Sequence, residues 1–338
     1  MPRPYECVKV LLHLFMNSQN QQHNTIPTER LKQSRFGNLG DSIFYSSTLI
    51  FATSVLVATL LIGFQLIKTS WPAIQHFGWR FLFTSTWDPV HQIYGAWPYI
   101  WGTLASSLLA LILAVPVAIG TAIFLVELSP KWLRGVLSFM VELLAAVPSV
   151  VYGLWGIFVL IPVLQKIQGG IALSKLSVLP IFAGAPTGYS MMAGALVLSI
   201  MILPIITAVT RDVIANVPAT QREAAFGLGS THWEAVKGPI LRSARSGIMG
   251  AVILGLARAL GETMAITMVI GNGKDASLSL LAPANTLASI LANQFAEASG
   301  LQLPSLMYIA LVLFGVAIVV NAIARLLLWN MSRGMKHA

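Results

Sequence analysis

The chain has 338 residues, of which 56% are hydrophobic and only 10% are charged. A soluble domain carries about 25% charged residues, so this composition excludes a soluble globular protein. The net charge of +9 does not require a nucleic-acid partner, and we expect none, because basic residues in membrane proteins mark the cytoplasmic side. The single cysteine, Cys7, excludes an internal disulfide framework and a cysteine-rich metal site.

The first 40 residues form a polar extension that we predict to be cytoplasmic and disordered. The stretch from Asn17 to Asn24 reads NSQNQQHN, a low-complexity composition that cannot build an apolar core. Met16 is an alternative start, and residues 1–15 would then not be translated.

Six apolar runs are long enough to cross a hydrocarbon core of about 30 Å, so the chain is predicted to be an all-α membrane protein with six transmembrane helices. The first run is too long and too far from the start to be a cleaved signal peptide. No tandem or inverted repeat relates the runs, which argues against a single-chain secondary transporter. The runs span residues 43–67, 99–126, 135–163, 189–210, 247–270 and 305–330.

Basic residues set the predicted orientation. With both termini placed in the cytoplasm, fourteen of the 21 Lys and Arg residues fall on cytoplasmic segments and five fall on outer loops. We therefore divide the chain into the extension 1–40, the first span with its outer loop (41–98), a five-helix core (99–330) with a cytoplasmic loop at 211–246, and a cytoplasmic tail (331–338).

The outer loops carry two further signals. Residues 271–304 are polar and are expected to form a short re-entrant or amphipathic helix. Trp and Tyr side chains favour the membrane–water interface, so we interpret the aromatic residues near the first outer loop as interfacial anchors rather than as a ligand-stacking site. These residues are Trp71, Trp79, Trp87, Tyr94, Trp97 and Tyr99.

Two charged residues lie inside the fifth apolar run. Arg258 is about 17 Å along the helix from Gly247, and a charge at that depth costs at least about 2.5–3.5 kcal/mol. Glu262 follows four residues later on the same helical face, where the two side chains could pair. They form either a neutralising ion pair or a polar patch lining an anion pathway, and the second reading is favoured because intramembrane charges usually mark pathways. Gly255 and Gly261 flank them and would allow close approach of a helix or a ligand.

Glu142 in the third run is a further pathway candidate that could contact Arg258 or Glu262 from a neighbouring helix. Proline also recurs inside the runs, at Pro116, Pro148 and Pro204. Each proline removes a backbone hydrogen bond, so we predict helix kinks at all three positions.

The sequence contains no sign of catalysis. No GxxxxGK[ST] loop, no HExxH motif and no nucleophile–base pair is present, so we expect no bound ATP, no bound metal and no catalytic residue in this chain. His91 and His232 are interpreted as surface residues without a role.

A polar, helix-forming stretch at residues 221–241 separates the fourth and fifth runs. Glu223, Ala224 and Ala225 open a helix, and Gly229 can adopt a positive φ that ends it and lets another begin. A helix–turn–helix between two spans offers a surface that a partner protein could grip.

This stretch resembles the EAA loop of the permease subunits of bacterial ABC importers. In that pattern Glu-Ala-Ala, three further residues and Gly are followed by nine more residues and then by Ile-x-Leu-Pro. Glu223, Ala224, Ala225, Gly229 and Leu241 match, whereas Pro239 replaces the Ile and Arg242 replaces the Pro.

The resemblance narrows to the permeases of phosphate importers. It covers about residues 40–330 and rests on STWDPV (85–90), ELLAAVPSVVYGLWGIFVLIP (142–162) and GLARALGETMAITMVIGN (255–272). It implies the type I (MetI-like) permease fold in the bacterial inner membrane and a role for Arg258 and Glu262 in phosphate passage. It also implies a second permease subunit (PstA-like), two ATPase subunits (PstB-like) that use ATP, and a periplasmic phosphate-binding protein (PstS-like).

Other functions stay open at this stage. Arg258 indicates an anion but does not distinguish phosphate from molybdate or sulfate. A self-contained anion channel is a second alternative, although it would not need an EAA-like loop.

Overall fold

A computed structural model describes residues 35–172 and 179–334, and the regular structure within them is helical apart from two isolated β-bridges. Residues 1–34, which hold most of the predicted disordered extension, lie outside the described residues. The rest of that extension, from Arg35 on, is helical. The chain divides into two compact units, residues 1–61 and 62–338.

The helices of the described residues are numbered here in chain order. The first five are α1 (Arg35–Phe77), α2 (Trp97–Ile123), α3 (Lys131–Ala146), α4 (Ser149–Trp155) and α5 (Ile161–Ala172). The next seven are α6 (Met191–Ala215), α7 (Ala219–Gly227), α8 (His232–Ala235), α9 (Leu241–Leu260), α10 (Met264–Val269), α11 (Leu287–Gln294) and α12 (Gln302–Gly334). π-Helical turns continue three of them, at Phe124–Leu128, Gly156–Leu160 and Val236–Ile240.

The described residues contain six helical stretches that are long and apolar enough to cross a membrane, as predicted. Three of them differ from the predicted bounds by more than five residues, and the first stretch continues to Leu82 rather than ending at residue 67. The third starts only at Ser149, because the preceding residues form the separate helix α3, and the fifth ends at Leu260 rather than at residue 270. The six stretches are Gly40–Leu82, Trp97–Leu128, Ser149–Ala172, Met191–Ala215, His232–Leu260 and Gln302–Trp329.

The described part of the first unit is the beginning of α1. Its large apolar side chains are exposed, for example Phe44 at 74% and Leu60 at 66%. A helix with apolar side chains on its surface and all backbone groups bonded internally is the form expected in lipid.

The second unit is built around the α2–α6 pair, which makes the most extensive helix contact in it. A row of small residues recurs every fourth position along α2 and is buried. Small side chains let two backbones approach closely, which is how membrane helices gain packing energy without a hydrophobic driving force. The row consists of Gly102, Ser106, Ala110, Ala114, Ala118 and Ala122.

The aromatic residues predicted to be interfacial anchors fall into two groups. Trp87, Tyr94 and Tyr99 are buried in an aromatic and aliphatic cluster, and Trp87 Nε1 donates to Gln294 Oε1 at 2.8 Å. Burial raises the pKa of the Tyr94 hydroxyl. The anchor interpretation is therefore wrong for these three, whereas Trp79 is 81% exposed, as an anchor would be.

The segments that flank α2 and α12 are also ordered. Asp88 and Ile93 form a β-bridge, and a side-chain hydrogen bond from His91 lowers the pKa of Asp88. The prediction that His91 has no role misses this contact.

The short helix predicted within residues 271–304 is α11. Its N-cap residue is Thr286, which forms a capping box with Ser289.

Two glycines of α2 test the close packing of this helix. A methyl group at Gly102 would lie 2.0 Å from the backbone oxygen of Asn285, whereas one at Gly120 would meet nothing within 4 Å. We expect Gly102→Ala to destabilise the purified protein by about 1–3 kcal/mol, because backbone atoms cannot yield cheaply. Gly120→Ala is the matched control and should not lower the thermal unfolding temperature. Equal unfolding temperatures for the two variants would contradict this packing.

Candidate functional site

The first element of the candidate site is a helix break at Pro148. Helix α3 ends at Ala146, Val147 and Pro148 have extended ψ angles of 129° and 139°, and α4 begins at Ser149. Proline has no N–H, so the carbonyl of Leu144, four residues earlier, lacks its usual helical donor. Tyr152 Oη donates to that carbonyl at 2.8 Å, and the amide of Val147 adds a longer bond of 3.3 Å. The predicted kink is confirmed, and it separates two helices.

The other two predicted kinks do not interrupt their helices. Helix α2 continues across Pro116, and α6 continues across Pro204. In the described residues, a proline alone is therefore not enough to interrupt an apolar helix.

The second element is a break between α9 and α10. Gly261 caps α9 after Leu260, and α10 begins at Met264. Glu262 is buried in this break, and its Oε1 accepts the backbone N–H of Ala265 at 3.1 Å. The carboxylate thus bonds an amide of the first turn of α10, which a helix leaves without an internal partner.

The break separates the two charged residues that the sequence placed on one helical face. Arg258 is exposed on α9, two residues before that helix ends, while Glu262 has left the helix. The ion pairs formed within residues 35–172 and 179–334 do not include one between these side chains. The pairing that the spacing allowed is therefore not formed, because four-residue spacing brings side chains together only in a continuous helix.

The two breaks lie side by side, because α4 packs on α10. A methyl group at Gly153 would lie 3.2 Å from Cα of Ala265 and 2.5 Å from Sδ of Met268. A methyl group at Gly156 would similarly lie 2.7 Å from Cγ1 of Val269. The predicted close approach at Gly255 is present too, toward Ile206 of α6, whereas a methyl group at Gly261 would lie at an ordinary contact distance of 3.6 Å from the backbone oxygen of Ala257.

Glu142 lies elsewhere than the sequence suggested. It is on α3, none of whose residues is buried, and Arg211 of α6 donates to its Oε1 at 3.0 Å. Arg211 also pairs with Asp212 at 2.8 Å. The expected contact of Glu142 with Arg258 or Glu262 is therefore replaced by a tie between α3 and α6, because Pro148 separates α3 from the third span.

The third element is the polar stretch between α6 and α9. Helix α7 ends at Gly227, and Gly229 has φ +81°. The amide of Ser230 donates to Ala225 O and that of Gly229 to Phe226 O, which is the Schellman arrangement. The predicted positive φ at Gly229 and the predicted helix–turn–helix are thus confirmed.

Helix α8 follows and leads into α9 without an intervening loop. It starts with a capping box between Thr231 and Glu234 and runs through a π-helical turn into α9. Pro239, which departs from the EAA pattern, lies inside that turn.

The α7–α8 stretch carries exposed apolar side chains next to exposed charge. Leu228 is 88% exposed and Trp233 is 65% exposed. Glu223 and Ala224 are exposed as well, whereas Ala225 faces inward. His232, predicted to have no role, packs its ring edge against Phe226. We refer to the exposed side chains of Glu223, Ala224, Phe226, Leu228 and Trp233 as the α7–α8 face.

Sequence reasoning missed two residues that shape the site. Tyr152 had a readable signal, since it lies four residues after Pro148 and is spaced to reach the carbonyl that the proline leaves free. Arg211 had none, because its partner Glu142 is 69 positions away. Within the described residues, no group of three or more His, Cys, Asp or Glu side chains could hold a metal ion.

Comparison with known proteins identifies the family of this chain. The family model described as "Binding-protein-dependent transport system inner membrane component" matches residues 114–333, which include both helix breaks and the α7–α8 stretch. The chain belongs to this family. Its members are multi-pass components of the inner membrane, consistent with the six apolar helices in the described part of this permease.

Named relatives cover nearly the whole permease. The phosphate transport system permease protein PstC of Haemophilus influenzae is 43% identical over 87% of this chain and 94% of its own length. The proteins of the same name from Pasteurella multocida and Mesorhizobium japonicum are each 44% identical over 86% of this chain, with 92% and 90% of their own lengths covered.

Solved structures confirm the predicted fold class. A bacterial alginate ABC transporter, in complex with an alginate-bound periplasmic protein, matches with a TM-score of 0.58 over 87% of this chain and 96% of that chain, at 15% identity. An inward-facing MetNI methionine ABC transporter matches with a TM-score of 0.53 over 73% of this chain and 99% of that chain, at 16% identity.

The hydrogen bond at the first break can be tested directly. Tyr152→Phe removes the phenol that bonds the Leu144 carbonyl, and we expect a loss of about 0.5–1.5 kcal/mol in unfolding free energy. Tyr189→Phe, at a more exposed tyrosine, is the matched control. In a Pro148→Ala background the cost of Tyr152→Phe should shrink, since the restored amide can bond Leu144 O. Equal costs in both backgrounds would show that Tyr152 does not compensate for the proline.

Proposed function

We propose that this chain is a transmembrane permease subunit of an ATP-driven importer, and that with a second permease it forms the path of inorganic phosphate into the cytoplasm. The observation that carries the proposal is the 43–44% identity to proteins named PstC over 86–87% of this chain. The chain contributes the path and binds no cofactor. ATP hydrolysis takes place in a separate subunit.

Arg258 is the proposed contact for the passing anion. Its guanidinium is exposed on α9 beside the second break, where it is free of a protein counter-ion within residues 35–172 and 179–334. Phosphate carries between one and two negative charges near neutral pH, and the planar guanidinium matches its oxygens with two parallel hydrogen bonds.

Glu262 has a different proposed part in the pathway. Its buried carboxylate holds the start of α10 through the amide of Ala265 and places a negative charge near the path. That charge opposes tight capture, which a conduit needs if the ion is to leave. Glu142, a pathway candidate from the sequence, is instead assigned to the α3–α6 tie with Arg211.

The α7–α8 face is the proposed docking surface for the ATPase subunits. Apolar side chains as exposed as Leu228 and Trp233 are costly in a polar connecting segment unless a partner covers them. Glu223 adds a carboxylate that a basic residue of the ATPase could pair with, and small Ala224 lets that partner come near the backbone. Motion of the ATPase would then become rigid-body motion of helices.

The remaining parts of the assembly follow from the same proposal. They are a PstA-like second permease, two PstB-like ATPases and a PstS-like periplasmic protein that delivers phosphate, with lipid around the helices. The alginate ABC transporter was solved in complex with a periplasmic protein, which supports a partner of this last kind. The excess of basic residues on the α7–α8 side supports cytoplasmic termini.

The role of Arg258 predicts a specific transport defect. In the assembled complex reconstituted in vesicles, Arg258→Ala should abolish phosphate uptake while ATP hydrolysis continues, because the anion loses its cationic contact. Arg242→Ala, at an exposed arginine on the same helix, is the control and should transport normally. Uptake at the normal rate by Arg258→Ala would refute the role.

The same vesicles separate the alternative functions. Uptake by the wild-type complex should be inhibited by unlabelled phosphate and not by equal concentrations of sulfate or molybdate. Inhibition by either of those would indicate another oxyanion. Phosphate flux through this chain without the ATPase would indicate a channel.

The docking role of the α7–α8 face predicts a binding defect. Glu223→Lys should reduce co-purification of the ATPase severalfold, since it turns an attractive charge into a repulsive one. Thr220→Lys, on the same helix, adds a positive charge at a non-acidic exposed position and should retain the partner. Full recovery of the ATPase with Glu223→Lys would count against this face.

A further inference from the structure

One arginine of α7 forms four hydrogen bonds that join separate parts of the permease. Arg222 Nε and Nη2 donate to Oε1 of Glu127 at 3.2 and 2.9 Å. Its Nη1 donates to the carbonyl of Val217 at 2.6 Å, and Nη2 also donates to that of Ile214 at 2.9 Å. A single guanidinium is thus bonded to three other positions.

These acceptors belong to different elements. Glu127 lies in the π-helical turn that continues α2, and Ile214 lies in the last turn of α6, where its carbonyl also accepts the amide of Val217 at 3.2 Å. Val217 lies in the connection between α6 and α7. Arg222 therefore links the polar stretch to the ends of both helices of the central pair.

The ion pair is sheltered from water. The Glu127 side chain is 10% exposed and that of Arg222 is 21% exposed, whereas Glu142 in the Arg211 pair is 58% exposed. Low exposure strengthens the attraction, and the added bonds to carbonyls satisfy a guanidinium that would otherwise be costly to bury. A buried apolar cluster lies at the same helix ends. It combines residues of α2, α6, the α6–α7 connection, the π-helical turn after α8 and α9, namely Ala122, Ile214, Val217, Val236, Ile240, Ala244 and Ile248.

Helix α7 has few other attachments. Within this helix, all of which the structure describes, Ala225 is the only buried residue, and Glu223, Ala224, Phe226 and Gly227 are exposed. Without Arg222 the helix would be held by Ala225, by the ring contact of Phe226 with His232, by packing on α8 and on the π-helical turn Val236–Ile240, and by its connections. The four hydrogen bonds are therefore the main constraint on how α7 is oriented relative to α2 and α6.

We propose that Arg222 and Glu127 form the joint that transmits movement of the α7–α8 face to the α2–α6 pair, so that ATP hydrolysis is coupled to opening of the path. This inference rests on the proposed function. Arg222 is a positioning residue, since it acts through Glu127 and the end of α6 and touches neither phosphate nor nucleotide.

The test is the number of phosphate ions imported per ATP hydrolysed by the full reconstituted complex. Arg222→Lys keeps the charge but cannot make four bonds in a fixed fork, and Glu127→Gln keeps the shape but loses the charge. We expect both complexes to assemble and hydrolyse ATP, with the ratio lowered about fivefold or more, the lower end of usual allosteric coupling. Arg242→Lys, at an exposed arginine of α9, is the matched control and should keep the wild-type ratio.

An unchanged ratio in assembled Arg222→Lys and Glu127→Gln complexes overturns the proposal. A lower yield of complex with a normal ratio in what assembles also overturns it, because the pair would then serve stability alone.

A second measurement does not depend on the transported ion. With Cys7 replaced by Ser, spin labels are placed at Thr220→Cys on α7 and at Gly120→Cys on α2, an open position. We expect a narrow distance distribution that Arg222→Lys broadens and Arg242→Lys does not. If the wild-type complex imports no phosphate, the proposed function fails, but the distance measurement still tests the Arg222–Glu127 joint. A distance distribution that Arg222→Lys does not broaden contradicts the joint.

Discussion

The requirement that every backbone polar group find a partner inside lipid governs this permease. Continuous helices meet it automatically, but the two interrupted stretches do not, and each needs a side chain to replace a missing partner. Tyr152 supplies a donor to the Leu144 carbonyl, and Glu262 supplies an acceptor for the Ala265 amide. The breaks, and with them the polar chemistry beside Arg258, are tolerable because these two side chains are present.

Packing then divides the second unit into a continuous part and a segmented part. The α2–α6 pair makes the most extensive helix contact of the unit and is uninterrupted even at Pro116 and Pro204. The α3–α4 and α9–α10 stretches are interrupted, and Gly153 brings the two interruptions into contact. The ion pair between Arg211 and Glu142 connects the two parts, and that of Arg222 links α7 to the turn after α2. The second unit thus combines an uninterrupted helix pair with interrupted helices that pack on it.

Much of this architecture could be predicted from the sequence, because it depends on local rules. Apolar length indicated six spans, and Gly229 was predicted to take the positive φ that ends α7. The errors arose where a local signal needed a decision about continuity. Hydropathy joined α3 to the third span, which misplaced Glu142, and four-residue spacing paired Arg258 with Glu262 across a helix end that Gly261 marks. Contacts between distant positions, such as that of Arg222 with Glu127, are set by tertiary packing and leave no trace in the order of residues.

The phenol at the first break has a mechanical consequence. A main-chain amide in a helix can leave its carbonyl only if the backbone dihedral angles of its own turn change. The hydroxyl of Tyr152 can leave Leu144 by rotation about two side-chain bonds, with the backbone of both segments unchanged. The break thus replaces the missing main-chain bond with one that side-chain rotation alone can release, while the longer bond from the Val147 amide remains.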